Sequence, residues 1–477
     1  MDQNVVLGNN AGAVDKKHIQ GLHRSPQQNL CPIDSLPFEV LGLIFSCCFL
    51  AEDEDIHSPH PRSAPLVFCN VCHYWRDIAS SIPALWSHFR ISVGGRSACM
   101  LDNLKWTARW LANSRSLPLA VTLDACLLKM LPFPGRTISR LTLLQPFNLD
   151  PPENPYPGDV AHCVSELTSI HYRSYNHTRS LSRIEAEWLW WVLTEALNLR
   201  FLQWDAPLIY EPASKDGQWR ALQRLCISSP VHTGTAMDIL CDLTSLKSVQ
   251  LELKGRFLPI EDLPIPCAAL TSLTLSVYDG DVSFVEMLES LTFPALRTLD
   301  LTCRSLLISP LDRLTEPMPA VLSLVARSHA PLGSISLTLF SMREDQVVQL
   351  LELTSHSLEA LSIEEPDHSY VSEPPLTLTD HLWERMTRRE DSAETHLAPH
   401  LTFLSLLKCN IQSTDGVLAD MVQSRLCPAI ESLYISSLNG ERHLADLERL
   451  GQLFAEGELE ALRCEEERYC DTDNESV

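Results

Sequence analysis

Between about Leu117 and residue 440 the chain alternates short Leu, Ile and Val runs with polar stretches, and the runs share one spacing. Written as Leu-x-x-Leu-x-Leu, with Ile, Val or an aromatic allowed at the apolar places, the pattern starts at Ile138, Leu167, Leu199, Leu222, Leu246, Leu270, Leu296, Leu332, Leu358, Leu401 and Ile430. Successive starts are 29, 32, 23, 24, 24, 26, 36, 26, 43 and 29 residues apart. In the first copy Leu141 and Leu143 flank Thr142. That alternation has the period of a strand, so the two leucines share one face and Thr142 takes the other. One such strand cannot bury its apolar face alone. Stacked in parallel with its neighbours it forms a continuous core, while the residues between strands return along the outside. Between two of these strands Phe284, Val285, Met287, Leu288 and Leu291 have helical spacing. The expectation is an α/β solenoid with a parallel, curved sheet and with helices or loops outside. A Leu-rich sequence also gives such matches by chance, which leaves another α/β arrangement open. Three consecutive intervals of 23, 24 and 24 residues argue for a true repeat.

Upstream the periodicity is helical. Residues 1–30 hold Asn, Gln, Gly and Lys with little pattern and are read as disordered. In Asp34-Ser35-Leu36-Pro37-Phe38-Glu39 the first two residues can cap a helix, Pro37 falls in its first turn and Glu39 lies near the positive end of its dipole. Leu41, Ile44, Phe45 and Cys48 follow at helical spacing. A second helix is predicted from about Ala64 to Ser80, with Phe68, Val71, Cys72, Trp75, Ile78 and Ala79 on one stripe; Pro83 and then Leu85-Trp86 follow it. A third, from Ala98 to Asn113, carries Leu101, Leu104, Lys105, Ala108 and Leu111 on one face. The boundaries predicted are a helical unit over 31–91, a linker helix within 92–116, the repeats over 117–455 and an acidic, solvated tail over 456–477.

Two resemblances follow from these residues. The repeat resembles the leucine-rich repeat, whose units run about 20–29 residues; the middle block fits and the longest intervals imply insertions. The stretch from Leu401 to Ile411 carries the Cys409 position and the following apolar residue of that family's pattern, whereas most other copies lack the Asn or Cys. At the N-terminus, Leu-Pro-x-Glu-Val-Leu-x-x-Ile-Phe from Leu36, then Val71-Cys72-x-x-Trp75-Arg76, then Pro83-x-Leu85-Trp86 resembles an F-box, in the form found among fungal F-box-like proteins. The resemblance covers about residues 33–91. It implies a small three-helix unit that packs against the adaptor subunit of a cullin–RING ligase. By position, Leu36, Pro37, Val40, Leu41, Ile44 and Phe45 would form the first helix and its docking edge. Val71, Cys72, Trp75 and Ile78 would supply the second face. The acidic stretch Ala51 to Ser63 lengthens the loop between them. The pairing of the two resemblances implies a substrate-recognition subunit of an SCF-type cullin–RING E3 ubiquitin ligase. The alternatives are a scaffold whose F-box recruits no cullin and a helical hairpin that only caps the repeats.

Composition narrows the partners. The net charge is −24 over 477 residues. So acidic a surface repels phosphate backbones and anionic lipid, which argues against nucleic acid and membrane partners and favours basic ones. Sixteen scattered cysteines and a polar start without an apolar signal core point to free thiols and to the cytoplasm or nucleus.

Candidate chemistry is sparse. Cys69-x-x-Cys72-His73 matches the haem-attachment pattern, and with His57 or His60 it could supply zinc ligands. It lies inside a patterned helix, where structural thiols are the simpler reading. Trp188-Leu189-Trp190-Trp191 reads as a repeat helix or as an aromatic peptide-binding patch. No phosphate loop, dinucleotide fingerprint, Gly-x-Ser-x-Gly or His-Glu-x-x-His occurs. The expectation is therefore a non-enzymatic chain without a cofactor or metal. A protein target would meet the outward side chains of the strands: Gln203, Gln250, Glu252, Thr274, Asp300, Ser336, Ser362 and Tyr434. The inserted loops, or a solvated face with no ligand, are the other readings of that surface.

Overall fold

Alternation of apolar and polar residues sets each strand, and the strands set the molecule. In the computed structural model fourteen strands form one parallel sheet in sequence order. They are β1 (His88–Ile91), β2 (Leu119–Asp124), β3 (Ile138–Leu144), β4 (Ser169–Arg173), β5 (Phe201–Trp204), β6 (Arg224–His232), β7 (Ser248–Lys254) and β8 (Ser272–Val277). They continue with β9 (Thr298–Cys303), β10 (Ser334–Thr338), β11 (Ala360–Glu364), β12 (Phe403–Leu407), β13 (Ser432–Ser436) and β14 (Ala461–Glu465). The structure describes residues 33, 36–50, 62–91, 98–124, 136–144, 164–173, 192–193, 195–205, 219–255, 265–277, 282–303, 317–340, 342–366, 376–388, 396–425, 430–436, 438 and 442–465. The predicted N-terminal disorder, the acidic stretch 51–61, the tryptophans at 188–191 and the end of the tail fall outside them.

The arrangement is α/β and compatible with a solenoid. On β9, Leu299 and Leu301 are buried while Thr298, Asp300 and Thr302 are half-exposed, and the same alternation recurs from β7 to β11. The residue after each motif start carries the register. Thr168, Arg200, Gln223, Lys247, Thr271, Arg297, Gly333, Glu359, Thr402, Glu431 and Glu460 each donate their N–H to the carbonyl of the one before, starting from Ser139, at 2.7–2.9 Å. Most of these carbonyls also accept the following N–H, as Thr168 does from Arg200 and Phe201, so each copy is tied to the next where its strand begins. Strand β6 takes a register shift between Ile227 and Pro230. Pro230 has no N–H to give a ladder, and a shift is where a strand tolerates it.

The helices lie between strands as predicted. Those described are α4 (Thr233–Asp242), α5 (Val282–Glu289), α6 (Met318–Ser328), α7 (Glu344–Thr354), α8 (Asp380–Met386), α9 (Val417–Ser424) and α10 (Leu444–Glu456), after α1–α3 below. Neighbours pack in order: α4 on α5, α5 on α6, α6 on α7, α8 on α9 and α9 on α10. Helix α5 buries Phe284, Met287 and Leu288, but Leu291 belongs to a two-residue strand paired with Ile265–Pro266. The long interval after Leu358 holds α8, which Arg425 fastens from the next repeat. Its guanidinium is buried and donates to the carbonyls of Met386 (2.8 Å), Ala398 (2.7 Å) and Leu397.

Both ends of the sheet extend past the predicted repeats. Strand β1 starts inside the segment read as the helical unit, and β14 lies inside the segment read as tail. Each completes the same motif. Trp86-x-x-Phe89-x-Ile91 places all three apolar residues in the core. Leu459-x-x-Leu462-x-Cys464 ends on a cysteine, which the apolar alphabet of the search did not admit.

The N-terminal unit departs further from expectation. Two α-helices are described in it, α1 (Phe38–Leu50) and α2 (His73–Ser81), with single 3-10 turns at Phe68–Asn70 and Pro83–Trp86. The helix predicted from Ala64 to Ser80 is therefore divided. Cys72 is extended (φ −156°, ψ 173°), and its thiol accepts the Trp75 N–H at 3.4 Å, so it caps α2 instead of continuing a stripe. In α3 (Ala98–Asn113) the buried positions are Thr107 and Trp110, while Ala108 is exposed and Leu111 half-buried. The predicted positions Leu101, Leu104 and Lys105 lie outside the residues whose side chains are described, and the bulky indole of Trp110 holds the described turns against the core. Trp110 meets Trp86 edge-on at 5.4 Å and Phe89 at 6.2 Å, which joins the N-terminal unit to the first strand in one core.

Opposite faces of one strand should respond differently to truncation. Leu301→Ala should cost about 3 kcal/mol in chemical denaturation, whereas Thr302→Ala should change stability by less than about 0.5 kcal/mol. Equal losses would contradict the strand's orientation.

Candidate functional site

The N-terminal unit is held by a small aromatic core. Phe45 stacks on Phe68 at 4.3 Å and leans on Trp75 at 5.0 Å. The Trp86 indole donates to the Ala79 carbonyl at 2.7 Å. Gly42 lets α1 approach α2, because a Cβ there would meet the Ile82 side chain at 3.0 Å. The sequence-predicted docking residues separate accordingly. Leu41, Phe45 and Ile78 are fully buried in the chain's own core, so they position the unit and present no surface of their own. Leu36, Cys72 and Trp75 are half-buried, and the Leu36 carbonyl accepts the Tyr74 hydroxyl at 3.3 Å. Pro37 is exposed just before α1, one residue earlier than predicted, and its carbonyl accepts the N–H of Val40 and of Leu41. Val40, Ile44 and Val71 are exposed.

The sequence reading missed four further apolar residues that face outward: Phe38, Leu43, Val67 and Tyr74. The signal was present in α1. Val40, Leu43, Ile44 and Cys47 recur at helical spacing on the side opposite Leu41 and Phe45, so the helix is apolar on two faces. With Ile33, this unit carries eight of the twelve large hydrophobic residues exposed among the described residues. Among the described residues, this small unit thus holds most of the exposed large hydrophobic side chains. Exposed apolar side chains gathered on one small unit mark a contact site or an aggregation liability.

The predicted target residues are brought into line by the sheet. Register places Gln203, Cys226, Gln250, Thr274, Asp300, Ser336, Ser362, Ser405 and Tyr434 side by side in one row. Glu252 lies one pleat further along, beside Ser276 and Thr302. Parts of this open face are internally paired. The Cys226 thiol donates to Gln250 at 3.4 Å, Ser228 donates to Asp205 at 2.9 Å, and Lys408 pairs with Glu364 at 2.8 Å. His171 packs on Phe201 at 4.6 Å and Phe403 on Tyr434 at 5.6 Å. Asp300 has a different setting. Burial raises its carboxyl above the ordinary range, and a hydrogen bond from the Ser336 hydroxyl opposes that shift.

The thiols in the haem-like pattern have structural work. Cys69 is buried, and desolvation raises its thiol, while Cys72 caps α2. Among the described residues a different trio, Asp415, His443 and Asp446, brings ligand-type atoms within 4.8 Å of one another. Its oxygens are committed to helix starts. Asp415 accepts the N–H of Ala445 (3.1 Å) and Asp446 (3.0 Å) at the start of α10, and Asp446 accepts the Ala419 N–H (2.8 Å) at the start of α9. The His443 ring bridges the remaining Asp446 oxygen at 3.1 Å and the Ile411 carbonyl at 3.3 Å. The trio is a reciprocal cap that ties two repeats together.

No protein-family model matches the chain, and no curated protein is significantly similar to it. No helix of the described residues is long and apolar enough to cross a membrane.

Two outcomes follow from this electrostatics. His443→Ala removes a partner from a fully buried carboxylate and should cost about 3 kcal/mol in thermal or chemical unfolding; a loss near zero would contradict the bridge. A carboxyl raised in the folded state binds its proton more tightly there, so folding loses stability as pH rises from about 3.9 through the folded value. Asp300→Asn should therefore flatten that part of the stability–pH curve without lowering the melting temperature at pH 7. A steeper curve, or a lower melting temperature, would contradict the desolvation.

Proposed function

We propose that the chain is a non-catalytic substrate receptor of an SCF-type cullin–RING ubiquitin ligase, docking through its N-terminal unit and holding a target protein on the open face of its repeats. The observation that carries this reading is the apolar outer side of α1 and α2. Phe38, Val40, Leu43, Ile44, Val71 and Tyr74 face solvent while Leu41, Phe45 and Ile78 fill the core beneath them. The spacing that resembles an F-box runs through both sets. A partner that covers the outer set would bury Leu43, the most exposed of them at 65%. Burying a side chain of this kind fully is worth about 2 kcal/mol. The remaining chain presents a long polar sheet surface of the type that repeat proteins use to hold partners.

Leu43→Asp tests the reading directly. It lies on the outer face, so the melting temperature should stay within a few degrees of wild type. Capture of the purified adaptor subunit should weaken at least tenfold, because a charge would be buried unpaired. Adaptor binding unchanged by Leu43→Asp would contradict docking at this surface. Capture of the adaptor without the cullin would instead favour a scaffold that shares the docking surface.

A further inference from the structure

The middle of the open sheet face has an unusual composition. Register aligns Ser272, Thr298 and Ser334 in one row, Thr274, Asp300 and Ser336 in the next, and Ser276, Thr302 and Thr338 in the third. These nine outward positions on β8, β9 and β10 form a grid of eight hydroxyls around one carboxylate. All nine are half-exposed, and none is a cation. Lys408, on the C-terminal side of the grid, is taken by Glu364 at 2.8 Å. Arginines gather toward the N-terminal end of the face: Arg90 on β1, Arg140 on β3, Arg173 on β4 and Arg224 on β6. Arg463 stands at the opposite end on β14, five strands from Asp300. Lys254 closes β7 beyond the third row. Lys247 and Arg297 are exposed just ahead of the first row, but none of the nine grid positions is a cation, and a carboxylate stands at their centre.

We infer that the Asp300 grid is the anchor point for a Lys or Arg side chain of the target protein. The inference rests on the receptor reading only in taking the ligand of this face to be a protein. An ammonium has three donors and no acceptor, and a guanidinium five donors and none. Asp300 offers the charge. The hydroxyls of Thr274 and Ser336, one strand away on each side at about 4.8 Å, can rotate to accept the remaining donors. An anion at the same place would meet the carboxylate with no cation among the nine positions to offset it, and an apolar side chain would strand nine polar groups. A single carboxylate among neutral hydroxyls also falls short of the charged oxygen set typical of a calcium site. The surface is a broad sheet, which suits a protein segment better than an isolated amine. The net charge of −24 draws a basic segment toward it. A bound cation would also offset the desolvation that holds the Asp300 carboxyl high.

A phage-displayed library of random nine-residue peptides, panned on the immobilised full-length chain, tests this. Peptides retained by wild type should be enriched in Lys or Arg. They should bind Asp300→Asn at least tenfold more weakly, lose affinity with added salt, and regain most of it on Asp300→Glu. Retained peptides without basic enrichment, peptides that bind Asp300→Asn equally well, or no retained peptides at all would each overturn the inference. Asp300→Asn is close in shape and removes only charge, and an unchanged melting temperature separates loss of binding from loss of fold. Running Leu43→Asp in parallel separates this inference from the docking reading. Basic peptides that still bind that variant, while the adaptor binds wild type and variant alike, would leave the anchor standing and sink the docking surface. An adaptor lost from the variant, with no basic peptide on wild type, would do the reverse.

Discussion

Every strand of the repeat region has one apolar face that it cannot cover by itself. Leu299 and Leu301 on β9, and Ile335 and Leu337 on β10, are buried in one core shared with the neighbouring strands, which lie in register beside them, and with the helices. Each buried leucine is worth about 2 kcal/mol, and each unpaired strand would also leave a row of backbone groups unmet. Stacking satisfies both demands at once. The backbone bonds passed from each motif to the next, from Ser139 through Glu460, are the physical expression of that constraint.

The same register makes a functional surface out of residues far apart in sequence. Thr274, Asp300 and Ser336 are 26 and 36 residues apart in the chain and one strand apart in space. The inner half of each strand is given over to packing and its outer half is left open to vary, so chemistry on the open face costs the core little. The N-terminal unit uses the same division within one helix. Leu41 and Phe45 face inward, and Val40, Leu43 and Ile44 are exposed. A surface of that kind has a cost in water, and cover by a second subunit removes it.

The repeat core was readable because period two and a spacing near 24 residues are strong signals, and seven of the eight predicted outward residues lie in one row in space, with Glu252 in the next. The ends were not readable. Trp86-x-x-Phe89-x-Ile91 was absorbed into the helical unit, and Leu459-x-x-Leu462-x-Cys464 substitutes a thiol for the last aliphatic residue. At the N-terminus the periodicity found a helix but assigned its faces imperfectly. Helix α1 is apolar nearly all round, so spacing alone could not tell Leu41 from Ile44. Cys72 looked like part of a stripe, and only its backbone conformation reveals a cap. The grid around Asp300 needed strand register, which sequence fixes only after each insertion has been placed.

The central proposition is that the outer face of α1 and α2 is the surface a ligase adaptor covers, while the sheet stays free for a target. Hydrogen–deuterium exchange on the full-length chain, with and without saturating adaptor subunit, measures this most directly. The account predicts slowed exchange confined to peptides covering residues 38–47 and 67–77, with the strand amides of β7 through β11 unchanged. Slowing centred on the sheet, or none anywhere while the adaptor is bound elsewhere, would contradict it.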